Sequence, residues 1–190
     1  MLLVLAMLLS LGAQAVVPEA VKATGSSRAM QGDVVAEVTI EDGKITEIGK
    51  AGTLFGDTVI EGEGLYLSPG FIDVHVHLRQ PGNTAAETIK TGTEAAAYGG
   101  FTAIVPMPNT SPAADTPGAI ELLKKTAAEC SPVKVYPCGC MTKNYAGQEM
   151  AGIGSLKSAG VVALSDDGKC IQDHSLMRHV VEYAKSFELP

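Results

Sequence analysis

Three features of the amino-acid sequence predict an α/β chain in which a small β domain precedes the first half of a (β/α)8 TIM-type barrel. Apolar and polar residues alternate from Val34 to Ile40, Ser68-Pro69-Gly70 breaks the chain, and beyond it strand-like runs are separated by helical stretches. Four strand–helix units then occupy roughly 120 residues, half of the roughly 250 that a closed barrel takes.

Composition narrows the function classes. With 190 residues, 46% of them hydrophobic, the chain can bury a sizeable core. The 14 Lys and Arg against 21 Asp and Glu give a net charge of −7, and no long basic run offers a footprint for nucleic acid, so that partner is set aside. Four cysteines, Cys130, Cys138, Cys140 and Cys170, contain no Cys-x-x-Cys pair and are too few for a disulfide framework. They read as reduced thiols that pack.

Taken in order, residues 1–15 form an apolar N-terminal segment, MLLVLAMLLSLGAQA, whose Ala13-Gln14-Ala15 resembles a signal-peptide cleavage site. No Lys or Arg precedes it and it is too short to span a bilayer, so an opening strand is the alternative and a membrane is not an expected partner. Residues 16–68 are expected to form the small β domain. Val34, Ala36, Val38 and Ile40 alternate with Val35, Glu37 and Thr39, the pattern of a half-buried strand. Glu41-Asp42-Gly43-Lys44 reads as a turn that pairs Val34–Ile40 with Ile45–Ile48, and short strands follow at Thr58–Ile60 and Leu65–Leu67.

Residues 69–190 are expected to be the partial barrel of four βα units. Its strands are predicted at Phe71–Val76, Thr102–Pro106, Val133–Cys138 and Val161–Ser165, with helices at about Ala85–Tyr98, Pro117–Cys130, Gln148–Ser158 and Ser175–Phe187. Thr116 can cap the second helix while Pro117 occupies the first helical position, where its missing N–H costs nothing. Gly99-Gly100 suits the end of the first.

The stretch Gly70-Phe71-Ile72-Asp73-Val74-His75-Val76-His77-Leu78-Arg79-Gln80-Pro81-Gly82 carries the chemistry. Strand residues two apart point the same way, so His75 and His77 project together while Val74 and Val76 face the opposite layer. The pair would sit at the C-terminal end of a strand, where barrels build their active sites. Taken alone, His-x-His is as compatible with two incidental histidines as with two metal ligands.

Pro69 through His77 resembles the opening metal motif of the amidohydrolase superfamily, and His77-Leu78-Arg79-Gln80-Pro81-Gly82 resembles the dihydroorotase family within it. Gly99 through Thr110 and Ala163-Leu164-Ser165-Asp166-Asp167-Gly168 agree, and the likeness runs from about Val34 to Pro190. The resemblance implies a site of two zinc ions, with His75 and His77 on the more buried ion and Asp167, or alternatively Asp166, as the bridging carboxylate that many relatives replace by a carboxylated lysine. It implies that Arg79 and Asn109 hold the substrate's carboxylate, although Asn109 in Pro-Asn-Thr-Ser-Pro also reads as a turn residue.

The implied reaction is the reversible hydrolysis of dihydroorotate to N-carbamoyl-aspartate, a cytoplasmic step of pyrimidine synthesis. Related hydantoinase, dihydropyrimidinase or allantoinase activities are the alternatives. A further one is a non-catalytic scaffold for aspartate transcarbamoylase, and a homo-oligomer is compatible with either. The family's acid–base aspartate and remaining metal ligands are expected beyond residue 190, so the 190 residues are expected to be inactive by themselves. His174 and His179, on or beside the fourth helix, read as surface or packing histidines.

Overall fold

A computed structural model describes residues 21–29, 32–41, 44–50, 52–61 and 66–190. The apolar segment 1–15, the hairpin tip at Asp42 and Gly43, and Leu65 of the last predicted β-domain strand lie outside them. The chain divides into two compact units, one ending at Phe71 and including Gly100–Thr102, the other formed by Ile72–Gly99 and Ala103–Pro190.

The first unit is a five-stranded sheet. Its strands are β1 (Val21–Ala29), β2 (Gly32–Glu41), β3 (Lys44–Gly49), β4 (Thr58–Ile60) and β5 (Tyr66–Leu67). β2 pairs antiparallel with β3, as the hairpin pattern predicts, and antiparallel with β1 along its other edge. β1 also pairs in parallel with β4 and β5. β1 is not expected from sequence because VKATGSSRA lacks apolar alternation; pairing along both edges makes it a strand in spite of weak propensity.

β2 departs from the half-buried expectation. Ala36, Val38 and Ile40 are buried, and so are Glu37 and Thr39 of the opposite face. The segment after β3 folds over that face: Glu37 Oε2 accepts the backbone N–H groups of Thr53 (3.1 Å) and Leu54 (2.9 Å). Thr39 Oγ1 lies 3.1 Å from Thr46 Oγ1. A Cβ at Gly49 would come within 2.8 Å of the Leu54 side chain, so glycine is what permits the approach.

The second unit contains the predicted strand–helix alternation. β6 (Phe71–Val76), β7 (Phe101–Pro106) and β8 (Lys134–Val135) form one sheet in that order, and β9 (Cys138–Gly139) pairs in parallel with β10 (Ala163–Leu164). β8 and β9 are the two ends of the third predicted strand. Tyr136 N–H still donates to Ile104 O on the β7 side and Pro137 O accepts from Val162 N–H on the β10 side, both at 2.9 Å, so the residues between β8 and β9 stay bonded to a neighbour on each edge although the proline lacks an N–H.

The helices are α1 (Ile89–Tyr98), α2 (Pro117–Cys130), α3 (Ile153–Ala159) and α4 (His174–Lys185). α2 starts as predicted, with Thr116 Oγ1 accepting from Ala119 N–H and Pro117 in the first turn. α1 begins later than expected because Asn83–Glu87 is tied into turns and Thr88 and Thr91 make a reciprocal cap. α3 also begins late. The preceding residues bridge back to the segment after β9, with Thr142 paired to Met150 and Lys143 N–H donating to Glu149 O at 2.8 Å. Asp173 caps α4 by accepting from the N–H groups of Ser175 and Leu176.

Ile120, Ile153, Leu156 and Val180, none more than 1% exposed, centre the apolar core to which α2, α3 and α4 contribute. On β6, by contrast, Ile72 and Val74 are 63% and 67% exposed. Among the described residues no helix is long and apolar enough to cross a membrane.

Candidate metal centre

The end of β6 delivers two imidazoles to one place. His75 and His77 have ring centroids 5.4 Å apart with planes at 72°, as expected for residues two apart on a strand. Asp167, in the loop after β10, faces both: Oδ1 is 3.4 Å from His75 Nε2 and Oδ2 is 3.5 Å from His77 Nε2. Ligand atoms of the three residues lie within 4.8 Å of one another. These separations exceed the 2.7–3.2 Å of an ordinary N–H···O hydrogen bond, which leaves space for an ion among the donors.

The neighbouring carboxylates point opposite ways. Asp166 is 5% exposed; its Oδ1 accepts from the N–H groups of Met141 (2.8 Å) and Thr142 (3.3 Å), and its Oδ2 accepts from Thr142 Oγ1–H. Asp166 is thus committed to backbone and hydroxyl donors, while Asp167 is the one that reaches the histidines. Between them and Lys169 runs a tight turn, closed by Lys169 N–H to Asp166 O at 2.9 Å, with Gly168 at φ +81°.

His77 has a second partner. Its Nδ1 lies 3.0 Å from Asn109 Oδ1. An amide oxygen only accepts, so Nδ1 is the donor in this contact, which in a neutral ring makes Nε2, on the Asp167 side, the nitrogen with the lone pair. The strand ends that carry these two residues are held in step by Met107 N–H donating to Val76 O at 2.8 Å. Asn109 therefore serves His77 through Oδ1, and its Nδ2 group makes no hydrogen bond among the described residues.

Arg79 follows on the loop after β6, exposed, at φ +56°, with its carbonyl accepting from Asn83 N–H at 2.8 Å. Its guanidinium has no ion pair among the described residues. The loop carrying Arg79 is tied to the one carrying Asn109 by Ser111 N–H to Pro81 O at 3.1 Å. His174 and His179 are exposed on α4 and do not join His75 and His77.

Two residues were not singled out from the sequence. Asp73 Oδ1 accepts from His75 N–H at 3.0 Å, and its period-two spacing from His75 was an available signal. Thr142, fully buried, meets Asp166 from 24 positions away, and nothing local in the sequence marks it.

The thiols stay apart from this chemistry. Burial, reinforced by the Asp166 and Asp167 charges, pushes Cys138 up to about 12, and burial and Asp166 likewise raise Cys140. Both remain protonated at neutral pH and are poor ligands in that form. Tyr145 is raised by partial burial and by the charge of Asp167, which puts its hydroxyl in the field of the same carboxylate.

Comparison with known proteins gives a consistent result. The dihydro-orotase-like family matches residues 64–189. The chain is 44% identical over 159 residues to a dihydroorotase of Anaeromyxobacter dehalogenans, an alignment covering 83% of this chain and 37% of that protein. It is 46% identical over 158 residues to the dihydroorotase of Caldanaerobacter subterraneus, with the same coverage. The chain thus spans a little over a third of the length of the relatives it matches.

Among solved structures, the L-hydantoinase (dihydropyrimidinase) from Arthrobacter aurescens superposes with a TM-score of 0.73 at 20% identity, over 89% of this chain and 39% of that one. Dihydropyrimidinase from Brevibacillus agri gives 0.71 at 25%, over 90% and 38%. These likenesses support the partial-barrel fold. Since the family match runs through most of the chain and takes in every residue of the His75, His77 and Asp167 cluster, this chain belongs to the dihydro-orotase-like family.

Proposed function

We propose that the chain supplies the first metal ligands of a zinc-dependent cyclic-amide hydrolase that interconverts dihydroorotate and N-carbamoyl-L-aspartate. The spacing of Asp167 from the two histidines carries this reading. Zinc sits about 2.0–2.1 Å from an imidazole nitrogen and about 2.0–2.2 Å from a carboxylate oxygen, so tetrahedral angles put such donors about 3.4 Å apart. The separations here are 3.4 and 3.5 Å, and the donor set of two neutral imidazoles and one carboxylate suits zinc. His75, His77 and Asp167 would hold the first ion and Asp167 would bridge to a second. Zinc bound in such a place lowers the pKa of water and polarises a carbonyl.

The remaining residues bind and orient. The Nδ1–H of His77 on Asn109 fixes the ring so that Nε2 faces Asp167, where it would be free to hold an ion. The Nδ2 group of Asn109 and the planar guanidinium of Arg79 are donors suited to the substrate's carboxylate. An aspartate at 167, where hydantoinases usually carry a lysine, favours dihydroorotate over hydantoins. The joint presence of His75, His77 and Arg79 favours catalysis over a scaffold role beside aspartate transcarbamoylase.

Cobalt titration of the purified chain tests the metal reading directly. Visible d–d bands should develop with weak affinity, elemental analysis after dialysis should show at most partial zinc occupancy, and His77→Ala or Asp167→Ala should abolish the bands. Equal binding by wild type and both variants would overturn the assignment.

Turnover is the second arm. The 190 residues alone should give no measurable interconversion, since general acid–base help is worth about 10²–10⁴-fold and, among the described residues, no further His, Cys, Asp or Glu joins the cluster of His75, His77 and Asp167. Joined to the remaining strands of a dihydroorotase relative, the chain should hydrolyse dihydroorotate in a manner abolished by His75→Ala. A hybrid that prefers hydantoins would replace the substrate assignment.

A further inference from the structure

Asp167 reaches the histidines from a short turn, and nothing in its own side chain fixes where that turn sits. Among the described residues its carboxylate meets His75 and His77 alone. The turn is anchored instead through the preceding residue. Asp166 sends its carboxylate inward, where both oxygens are occupied by donors from Met141 and Thr142. Thr142 Oγ1 completes a relay, since it donates to Asp166 Oδ2 and accepts from Gly147 N–H at 2.9 Å. Thr142 is itself held by the bridge to Met150. A carboxylate as buried as Asp166 is tolerable only with such donors, so the contact is strongly directional: rotating the turn would strand a buried anion.

We propose that Asp166 and Thr142 are positioning residues, a buried carboxylate–hydroxyl clamp that ties the loop after β10 to the loop after β9 and so presents Asp167 to the two histidines before any ion arrives. The proposal rests on the metal-centre reading for its consequence and on the hydrogen-bond geometry for its substance. Preorganisation of this kind is what residues behind a ligand contribute, and its loss typically costs about 10–100-fold in metal affinity.

Thr142→Val tests it with little change of volume, because it removes only the hydroxyl, leaving Asp166 Oδ2 without its donor and Gly147 N–H without its acceptor. Thr142→Ser restores both. In the full 190-residue chain, kept well below its melting temperature with unchanged far-UV circular dichroism, Thr142→Val should weaken Co²⁺ binding roughly 10–100-fold. Thr142→Ser should stay within about threefold of wild type on the same scale. A folded Thr142→Val that binds Co²⁺ as wild type does, even with a lower melting temperature, would reduce the clamp to a purely structural role and overturn the proposal.

A second readout needs no metal. The Lys169 amide, which closes the turn on Asp166 O, should lose hydrogen-exchange protection in Thr142→Val and in Asp166→Ala and keep it in Thr142→Ser. Unchanged protection in both variants overturns the clamp whether or not the chain binds metal. Failure of the metal reading looks different: wild type shows no Co²⁺ bands while the Lys169 amide still responds to Thr142→Val.

Discussion

β2 and β6 share a period-two pattern and treat it in opposite ways. On β2 the polar residues Glu37 and Thr39 are 4% and 7% exposed, as buried as the apolar residues between them. On β6 the apolar residues Ile72 and Val74 are 63% and 67% exposed, while His75 and His77 on the other side converge with Asp167. Alternation fixes which side chains share a face, because that follows from strand geometry. It does not fix what covers the face. For β2 the cover is the segment after β3, and it can lie there because Glu37 accepts the amide of buried Leu54 and shares that of exposed Thr53 with Lys50 O.

The widest contrast should be chemical. Cys138 and Cys140 are two apart in the second unit, and both are essentially inaccessible, whereas Cys170 is exposed. A thiol raised to about 12 stays protonated through the neutral range and yields thiolate only as the pH climbs toward that value. Labelling with a disulfide reagent at about pH 8 should therefore modify Cys170 at least about 100-fold faster than Cys138 or Cys140, and raising the pH to about 9 should not release them. Denaturant should. Rapid modification of Cys138 or Cys140 in the folded chain would mean that this strand end is open, as the apolar face of β6 is.

Next in size is the loss of the β2 cover. Glu37→Ala removes the acceptor for Leu54 N–H, and one of the two acceptors for Thr53 N–H, and should cost about 2 kcal/mol in urea unfolding of the first unit. Glu37→Gln keeps an oxygen in place and should cost less, about 1 kcal/mol. An alanine variant as stable as wild type would show that the segment is held by its apolar contacts alone. The smallest effect is expected on β6. Val74→Thr exchanges one exposed β-branched residue for another and should change stability by no more than about 0.5 kcal/mol. A larger loss would show that the face is covered in solution, by a second copy or by further chain.

Much of the second unit was legible because its signals are local. The period-two spacing of His75 and His77, the Thr116-Pro117 helix start and the glycines after α1 each act within a few residues, and β6 and α2 fall at their predicted positions. Features that depend on distant partners were not legible. β1 is a strand because of neighbours on both edges, α3 starts late because Met150 is bridged to Thr142, and Pro137 splits a strand that stays bonded to β7 on one side and toward β10 on the other. The same division runs through the candidate site. Two adjacent aspartates are equivalent in local sequence, and only the donors supplied by Met141 and Thr142 make Asp166 the buried one. Arg79 and Asn109 were singled out by resemblance, and the contact of Asn109 with His77 is a geometric fact that no spacing rule contains.

The turn that presents Asp167 also bears on how the surroundings of this cluster could be redesigned. Gly168 holds φ +81°, a backbone state most side chains resist, and a Cβ there would stand 3.4 Å from the Tyr145 hydroxyl. Position 168 is thus limited mainly by its backbone, with only an ordinary contact above it. A combinatorial library aimed at new substrates would do best to keep glycine at 168, place its diversity at the exposed Arg79 and on Tyr145, and allow at most asparagine or aspartate at 168, the residues that tolerate such a turn.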